Sequence, residues 1–380
     1  MSCEYRDLCG GCVYRSLPEE EYRRKKEEGF LKVLSGLRQK DISFGSPVFI
    51  PDGRRRRASL AFRIKKGRVS LGFNEAGSGT LVDCTRCSLL TPGLNAVLPQ
   101  LRRLLEEIGR IPVTVRRKNK KAAEANIAAG DVWLTEADNG IDVVLEFDAA
   151  LELGHRMAIF EQAQASGSII RISHRRRADE PAEPVAEKIR PVVKIASADV
   201  YIPAGTFLQP SKDGEQALVG LVLKYLDGVR GRIADLFCGV GTFSYPLAAC
   251  SGTKITAVDS SQRLLDGFRQ SVNRNMISNI EIMTRNLFKY PLDIRELKGF
   301  DAVVFDPPRA GASAQVAQLA ALPPEDKPSR IIAVSCNPRT FVNDANVLTG
   351  AGYRIEEITM VDQFVYSNHS ELVALFTKQK

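Results

Sequence analysis

The sequence predicts an α/β fold for the second half of the chain, built on a largely parallel sheet with helices on both faces. Beyond residue 230, the β-rich runs RIADLF, KITAVD, IEIMT, DAVVFD and RIIAVS alternate with stretches that suit helices or turns, which is typical of parallel sheets. The first run leads directly to Gly239 and Gly241, and the second ends at Asp259. Glycines that open a helix after a strand let a ligand approach the backbone closely at the carboxyl edge of the sheet.

The first half has a different pattern. Residues 14–40 predict a helix capped by Ser16, with Pro18 in its first turn. Short strands are predicted over 55–83, where KKGR suits a hairpin turn, and another helix after Pro92. Further strands are predicted at 111–115, 124–134 and 141–147, and the Pro-, Glu- and Ala-rich stretch 175–195 suits a linker or a solvated excursion. Because 380 residues are many for one core, we expect two domains, 1–195 and 196–380.

Positive charge is concentrated in the first half. The net charge is +8, and the basic clusters are Arg54 to Arg57; Arg116, Arg117, Lys118, Lys120 and Lys121; and Arg175 to Arg177. Such clusters suit a polyanion, although each one alone could be a solvated loop. No apolar run approaches the ~20 residues that span a bilayer, and the polar N-terminus is unlike a secretory signal. We therefore expect a cytoplasmic monomer whose first half faces nucleic acid.

The cysteines near the N-terminus have the spacing of a metal or cluster site. Cys3, Cys9 and Cys12 form C-x5-C-x2-C, and Cys87 lies farther along the chain. Four thiolates could hold a [4Fe–4S] cluster or a zinc ion. Cys84 forms a C-x2-C pair with Cys87 and is an alternative ligand. In a chain without a secretory signal, eight cysteines do not predict a disulfide framework.

Polar groups follow two later strands. DPPR begins at Asp306, and SCNP contains Cys336. We expect both at the carboxyl ends of adjacent strands, beside a cofactor crevice. Asp259 could accept hydrogen bonds from ribose hydroxyls there, which favours a nucleoside-bearing cofactor. These residues alone do not separate a dinucleotide from S-adenosylmethionine.

Four motifs in this order, DLFCGVGTF, DPPRAGA, VSCNPRTF and HSELV, resemble the RNA uracil-5 methyltransferases, the TrmA/RlmC/RlmD group. The resemblance runs through residues 201–380, and the cysteines extend it to the N-terminus. It implies a Rossmann-like S-adenosylmethionine-dependent methyltransferase domain, preceded by an iron–sulfur segment and a small α+β RNA-binding domain.

The resemblance also implies roles for individual residues. Cys336 would add to carbon 6 of the target uracil, as a strong nucleophile that is also a good leaving group. Glu371 would be the general base that removes the carbon 5 proton, and Asp306 would contact the uracil. Residues implied for the cofactor are Gln209, Phe237, Gly239, Gly241, Thr242, Asp259, Asn286 and Asp306. Thr242 stands where Asn is frequent and Asp259 where Glu is frequent, and both can still form hydrogen bonds.

For the cysteines, the resemblance favours a [4Fe–4S] cluster on Cys3, Cys9, Cys12 and Cys87. Members of the group often carry an oligonucleotide-binding barrel before these cysteines, whereas this chain starts close to Cys3. Its layout is closest to RlmC, so we expect a uridine of 23S rRNA as the substrate. A uridine in the tRNA T-loop is the alternative. The alternative of another class is a non-catalytic iron–sulfur protein that binds RNA or assists assembly.

Overall fold

The computed structural model describes residues 3–115 and 123–379, so the basic cluster predicted at 116–121 lies outside the described residues. The helices in these ranges are α1 (Glu19–Leu34), α2 (Pro92–Ile108), α3 (Leu153–Ala165), α4 (Lys212–Tyr225), α5 (Ser244–Ala248), α6 (Gln262–Arg274), α7 (Ile294–Leu297), α8 (Ser313–Ala321) and α9 (Pro338–Gly350).

The strands in the same ranges are β1 (Ser43–Phe44), β2 (Val48–Phe49), β3 (Arg57–Lys65), β4 (Arg68–Asn74), β5 (Leu81–Asp83), β6 (Pro112–Val115), β7 (Ala123–Asn126), β8 (Ala129–Ala137), β9 (Gly140–Glu146), β10 (Ile169–Arg175), β11 (Glu183–Glu187), β12 (Val192–Ile195), β13 (Ala198–Tyr201), β14 (Gly231–Leu236), β15 (Thr253–Asp259), β16 (Ile280–Thr284), β17 (Ala302–Phe305), β18 (Arg330–Ser335), β19 (Tyr353–Asp362) and β20 (Glu371–Lys378).

The chain folds into two compact units that are not separated by a single cut. The N-terminal unit comprises Met1–Ser16, Pro51–Val193 and Tyr201–Ser211. The C-terminal unit comprises Leu17–Ile50, Lys194–Val200 and Lys212–Lys380. Compared with the expected division at 195, the main difference is that the segment with α1, β1 and β2 belongs to the C-terminal unit. The physical reason is that β1 and β2 both pair with β19.

The C-terminal unit is built on a nine-stranded sheet. Its main order is β1-β19-β20-β18-β17-β14-β15-β16, with β2 also paired to β19. The central strands are parallel, and β20 runs antiparallel to both β18 and β19. This arrangement agrees with the predicted α/β fold.

Alternate residues of the central strands enter two cores, one on each face of the sheet. In β18, Ile331 and Ala333 pack in one core, whereas Ile332 and Val334 pack in the other. Every residue of β17 is buried. Near-continuous apolar strands are expected where helices cover both faces of a parallel sheet.

The N-terminal unit has an α+β architecture. Its seven-stranded sheet has the order β11-β10-β9-β8-β3-β4-β5, with β6 and β7 forming a separate pair. Neighbouring strands are antiparallel except β9 and β10, which are parallel and flank α3 in the chain. Helix α2 buries a leucine stripe that includes Leu94, Leu98, Leu101 and Leu105.

The prediction of a linker over 175–195 is wrong. Strand β11 pairs with β10 at the edge of the seven-stranded sheet, and β12 pairs with β13. Ala186 is buried in the core, whereas Glu183 and Glu187 at the ends of β11 are exposed. Proline and charged residues are usual in edge strands, so this composition concealed a strand.

The first helix is shorter than expected. It begins at Glu19 with Pro18 at the N-cap position and no side-chain cap, so the predicted cap by Ser16 is wrong. Of the helices in the described ranges, none combines the length and apolar character needed to cross a membrane.

Candidate functional site

The glycine turn after β14 borders an open crevice at the carboxyl edge of the sheet. The strand order reverses here, because β15 and β16 lie on one side of β14 and β17 and β18 on the other, and ligands bind at such switch points. Phe237 has φ of 62°, uncommon for a bulky residue and typical of functional turns. A Cβ on Gly239 would meet no atom within 4 Å, whereas one on Gly241 would come within 2.6 Å of the Phe268 ring. Gly239 therefore leaves space at the crevice, and Gly241 permits tight packing behind it.

Asp259 lies beside this turn, at the end of β15. Its carboxylate accepts hydrogen bonds from the backbone N–H of Gly239 at 3.1 Å and of Ser261 at 2.9 Å. Each carboxylate oxygen has a second lone pair. The group can therefore position the glycine turn and still accept hydrogen bonds from ligand hydroxyls.

A second carboxylate, which the sequence analysis did not single out, lies on β14. Asp235 is fully buried and accepts a hydrogen bond from Ser244 Oγ at 2.5 Å. Burial raises the pKa of Asp235 to about 7, and the hydrogen bond from Ser244 opposes this rise. The sequence did contain one indication that Asp235 belongs to the site, because it is the first residue of the motif DLFCGVGTF.

The other predicted cofactor residues divide between the two units. Thr242 is half-buried in the turn before α5. Asn286 follows β16, and its Oδ1 accepts hydrogen bonds from the backbone of residues 288 and 289. The exposed ring of Phe288, which the sequence analysis missed, lies 5.4 Å from that of Phe237. Gln209 belongs to the N-terminal unit, where its carbonyl oxygen accepts a hydrogen bond from Arg56 Nε at 3.1 Å.

The three predicted catalytic residues lie at the ends of neighbouring strands. Asp306 follows β17, Cys336 follows β18, and Glu371 begins β20. Strands β17 and β18 are adjacent and parallel, and Ser335 at the end of β18 pairs with Leu372 in β20. The register therefore brings Cys336 and Glu371 to the same edge of the sheet as Asp306.

The two carboxylates oppose ionisation of the thiol. Burial raises the pKa of Cys336 to about 11, and the charges of Glu371 and Asp306 add to this effect while Arg309 opposes it. Burial likewise raises the pKa of Glu371 to about 8, with a further contribution from Asp306. Gln363 donates a hydrogen bond from Nε2 to Glu371 Oε2 at 2.7 Å, which favours the ionised form. Neither Gln363 nor an electrostatic role for Arg309 was predicted.

A buried network joins α1 to the loop before Glu371. Lys26 Nζ lies 2.9 Å from Asp362 Oδ1 and donates to the carbonyl oxygens of Ser367 at 2.9 Å and His369 at 2.5 Å. Tyr22 donates a hydrogen bond to the other oxygen of Asp362. One sequence signal existed, since Lys26 lies four residues after Tyr22 on the buried face of the helix.

The N-terminal cysteines are neighbours within the N-terminal unit. The pKa of Cys12 is raised to about 12, first by burial and then by the Cys87, Cys9 and Cys3 thiols. Cys84 donates a hydrogen bond to Cys9, which lowers the pKa of Cys9 to about 6 and raises that of Cys84.

These thiols are not arranged as a metal site in the structure. Within the described parts of the chain, no group of three or more His, Cys, Asp or Glu side chains is arranged to hold a metal ion. The donor chemistry suits a thiolate-bound cluster, but the observed thiol positions do not themselves form one.

The basic cluster at 175–177 is largely neutralised by its own acids. Arg175 Nη2 lies 2.6 Å from Glu146, and Arg176 Nη2 lies 2.6 Å from Asp148. Arg177 lies 3.4 Å from both Asp179 and Glu180. This cluster therefore offers a polyanion less charge than the sequence indicates.

Known proteins resemble the chain over most of its length. Residues 185–379 match the family model described as tRNA (uracil-5-)-methyltransferase. An uncharacterised RNA methyltransferase of Brucella melitensis is 34% identical over 99% of this chain and 84% of its own length. The 23S rRNA (uracil(1939)-C(5))-methyltransferase RlmD of Pectobacterium atrosepticum is 30% identical over 98% of this chain and 79% of its own length.

A solved structure supports the fold. The Pyrococcus abyssi tRNA (uracil-54, C5)-methyltransferase in complex with S-adenosyl-L-homocysteine superposes with a TM-score of 0.72, at 24% identity over 97% of this chain and 86% of that one. Taken with the relatives and the family model, the chain belongs to the tRNA (uracil-5-)-methyltransferase family, the TrmA/RlmC/RlmD group of S-adenosylmethionine-dependent enzymes that methylate carbon 5 of uracil in RNA.

Proposed function

We propose that the chain methylates a uridine of 23S rRNA through a covalent adduct between Cys336 and carbon 6 of the uracil, which Glu371 then resolves. The observation that carries this proposal is the strand register, which brings the thiol and a buried carboxyl group to one edge of the sheet. Asp306, after the adjacent strand, contacts the uracil in this proposal.

The first step is addition of the Cys336 sulfur to carbon 6. The thiol gives up its proton to solvent, an S–C6 bond forms, and the C5–C6 π bond breaks so that its electron pair moves onto carbon 5. Because the pKa of Cys336 is raised by burial and by two carboxylates, the thiolate is rare at neutral pH without substrate. Arg309 opposes that effect, so its guanidinium favours the reactive form.

When bound, S-adenosylmethionine would supply the electrophilic methyl group to carbon 5 and would leave as S-adenosylhomocysteine. The open space at Gly239 and the free lone pairs of Asp259 fit its nucleoside. Phe237, Gly241, Thr242 and Asn286 complete the proposed cofactor contacts in the C-terminal unit. For Gln209, a cofactor contact is implied by the family resemblance alone.

Glu371 completes the reaction. As a carboxylate it removes the proton from methylated carbon 5, the C5–C6 double bond re-forms, and the S–C6 bond breaks to release the Cys336 thiolate. The raised pKa of Glu371 suits this exchange, because a general base works best when its pKa lies near the working pH.

The substrate assignment follows the relatives. RlmD, named for 23S rRNA, is 30% identical, which favours rRNA. The description of the family model favours tRNA as the second candidate. Mapping 5-methyluridine in 23S rRNA and tRNA, with and without the gene, separates them: a site lost only from tRNA would overturn the rRNA assignment.

We also propose that Cys3, Cys9, Cys12 and Cys87 hold a [4Fe–4S] cluster. The donor chemistry and the proximity of the thiols support this. Iron and sulfide should be present after anaerobic purification and should be lost when any of the four is changed to Ser. Retention of iron in Cys84→Ser would leave Cys84 outside the ligand set. Zinc in place of iron and sulfide would overturn the proposal.

The catalytic proposal is tested with RNA that contains 5-fluorouridine. Fluorine replaces the proton that Glu371 removes, so the adduct cannot be resolved and should survive denaturation. Cys336→Ala should form no adduct. The matched control is Cys250→Ala, since Cys250 lies in the same unit and its thiol contacts the Pro246 carbonyl oxygen. If Cys336→Ala still forms a denaturation-resistant adduct, Cys336 is not the nucleophile.

A further inference from the structure

The N-terminal unit contains a cavity of about 400 Å³ that belongs to none of the proposed catalytic, cofactor or cluster sites. Residues that line it include Arg55, Arg57, Ser59, Trp133, Arg175 and Thr206, all from this unit. Among its described lining residues none is acidic, and three are arginines. The volume lies within the range of about 300–1,000 Å³ typical of small-ligand sites and is larger than a bare phosphate needs.

Arg57 has one donor that no residue within 3–115 or 123–379 accepts. Its Nη1 donates to the Leu208 carbonyl oxygen at 2.9 Å, and its guanidinium lies 4.7 Å above the Phe207 ring. These contacts fix the plane of the guanidinium. Its Nε is buried and has no hydrogen-bond partner among the residues that the structure describes. Buried donors are nearly always satisfied, so a water molecule or an anion is expected beside this one.

The positive charge around Arg57 also favours the binding of an anion. Burial, together with the charges of Arg56 and Arg55, lowers the pKa of Arg57 to about 10. The group stays protonated at neutral pH, at an electrostatic cost that a bound anion would relieve. Arg55 donates from Nε to the Arg57 carbonyl oxygen at 3.1 Å, which holds the two side chains in order.

The other wall of the cavity is a rigid stacking surface. Trp133 Nε1 donates to Glu146 Oε2 at 3.0 Å, and Arg175 Nε donates to the same oxygen at 2.7 Å. The Arg175 guanidinium lies 5.1 Å from the centre of the Trp133 ring. Aromatic rings and arginine planes are the surfaces on which unstacked RNA bases pack.

We propose that this cavity binds one nucleotide of the RNA, with a phosphate against Arg57 and the base against Trp133 and Arg175. The inference rests on the proposed function, because it takes its ligand from the RNA substrate. Free phosphate shares part of this chemistry but offers nothing for the stacking wall. The cavity therefore selects a nucleotide over the bare anion.

The cavity can be monitored directly, because Trp133 is the single tryptophan of the chain. The intact protein is titrated separately with inorganic phosphate, uridine 5′-monophosphate and a short oligouridylate while tryptophan fluorescence is recorded. Saturable change should occur with the oligouridylate at the lowest concentration, then with the mononucleotide. Inorganic phosphate should act only at much higher concentration. Equal potency of phosphate and oligouridylate would reduce the site to an anion site and overturn the proposal.

Two kinds of variant test the assignment. Arg57→Gln should weaken oligouridylate binding about tenfold or more, the usual effect of losing a hydrogen bond to a charged group. Arg63→Gln is the matched control, because Arg63 lies on the same strand but does not line the cavity. Because Arg57 is partly buried, its replacement could disturb the fold. Two substitutions at Ala178 avoid this, since Ala178 lines the cavity and is exposed. Ala178→Glu should weaken binding, and Ala178→Lys should not.

The outcomes separate this proposal from the catalytic one. If the wild-type protein forms the 5-fluorouridine adduct but its tryptophan fluorescence does not respond to RNA, the cavity proposal is wrong and the catalytic one stands. If the tryptophan fluorescence responds to RNA but no adduct forms, the catalytic proposal is wrong and the cavity proposal stands. Unchanged oligouridylate affinity in both Arg57→Gln and Ala178→Glu would also refute the cavity site.

Discussion

Replacing Glu371 by Gln should separate formation of the adduct from its resolution. The change replaces a buried carboxyl group by a neutral amide of nearly the same volume, and the amide can still pair with Gln363, which lies 2.7 Å from the carboxyl group. Because the Glu371 charge raises the pKa of Cys336, its loss should make the thiol easier to ionise at the pH values where Glu371 is charged, above about 8. Addition to carbon 6 should therefore survive, whereas removal of the carbon 5 proton should fail.

The size of the effect can be estimated. Loss of a positioned general base costs about 10²–10⁴-fold in rate, or about 3–5 kcal/mol. With a pKa of about 8, Glu371 is roughly one-tenth ionised at pH 7 and nine-tenths ionised at pH 9. Adduct resolution by the wild type should therefore accelerate about tenfold over this range, and resolution by Glu371→Gln should stay flat.

The assay follows radiolabelled uridine RNA on a denaturing gel while 5-methyluridine is measured in parallel. Glu371→Gln should accumulate the protein–RNA adduct with little free product. Glu281→Gln, an exposed change on β16, is the control and should behave like the wild type. Turnover of Glu371→Gln at the wild-type rate would refute the role of Glu371. Absence of both adduct and product would place Glu371 before addition instead of after it.

Three further results are expected. Because burial raises the pKa of Glu371, its contribution to stability is present at acid pH and is lost as the pH rises through the pKa of the folded state. The melting temperature of Glu371→Gln should therefore exceed that of the wild type by more at pH 9 than at pH 5. An equal difference at both pH values would contradict this. Asp259→Asn should weaken S-adenosylmethionine binding, measured by calorimetry, about tenfold or more. Cys336→Ala is the control and should bind the cofactor as the wild type does. Wild-type affinity in Asp259→Asn would show that Asp259 is not part of the cofactor site. Lys26→Met should lower the free energy of unfolding, measured in urea, by about 3–5 kcal/mol, because it leaves the buried Asp362 carboxylate without its cation. Lys25→Met, at an exposed pair, should change the free energy of unfolding little.

Much of the C-terminal sheet could be predicted because its signals are local. Each of the predicted strands after residue 230 is a short apolar run, and motifs at the strand ends predict which side chains meet at the carboxyl edge. The pairing of β1 and β2 with β19 could not be predicted in this way. Those short strands are separated from their partner by most of the chain, and their pairing leaves no periodic pattern.

The same distinction applies to the site. Asp306 and Cys336 could be located because each follows a recognisable strand. Gln363 was missed because its contact with Glu371 depends on how β19 and β20 pair. Lys26 was missed because its acceptors lie more than 340 residues away. The edge strand β11 was misread because proline and glutamate are common both in linkers and at sheet edges.

The position of β20 has a consequence for synthesis of the enzyme. This strand follows every other strand of its sheet in the chain, yet it lies between β18 and β19. Cys336 and the strands around the cofactor site are therefore synthesised before Glu371, which follows within a few seconds at about 5–20 residues per second. Pairing of β20 with β18 and β19 completes the sheet and brings Glu371 to its edge at the same time. The proposed base is therefore in place only when the sheet is complete.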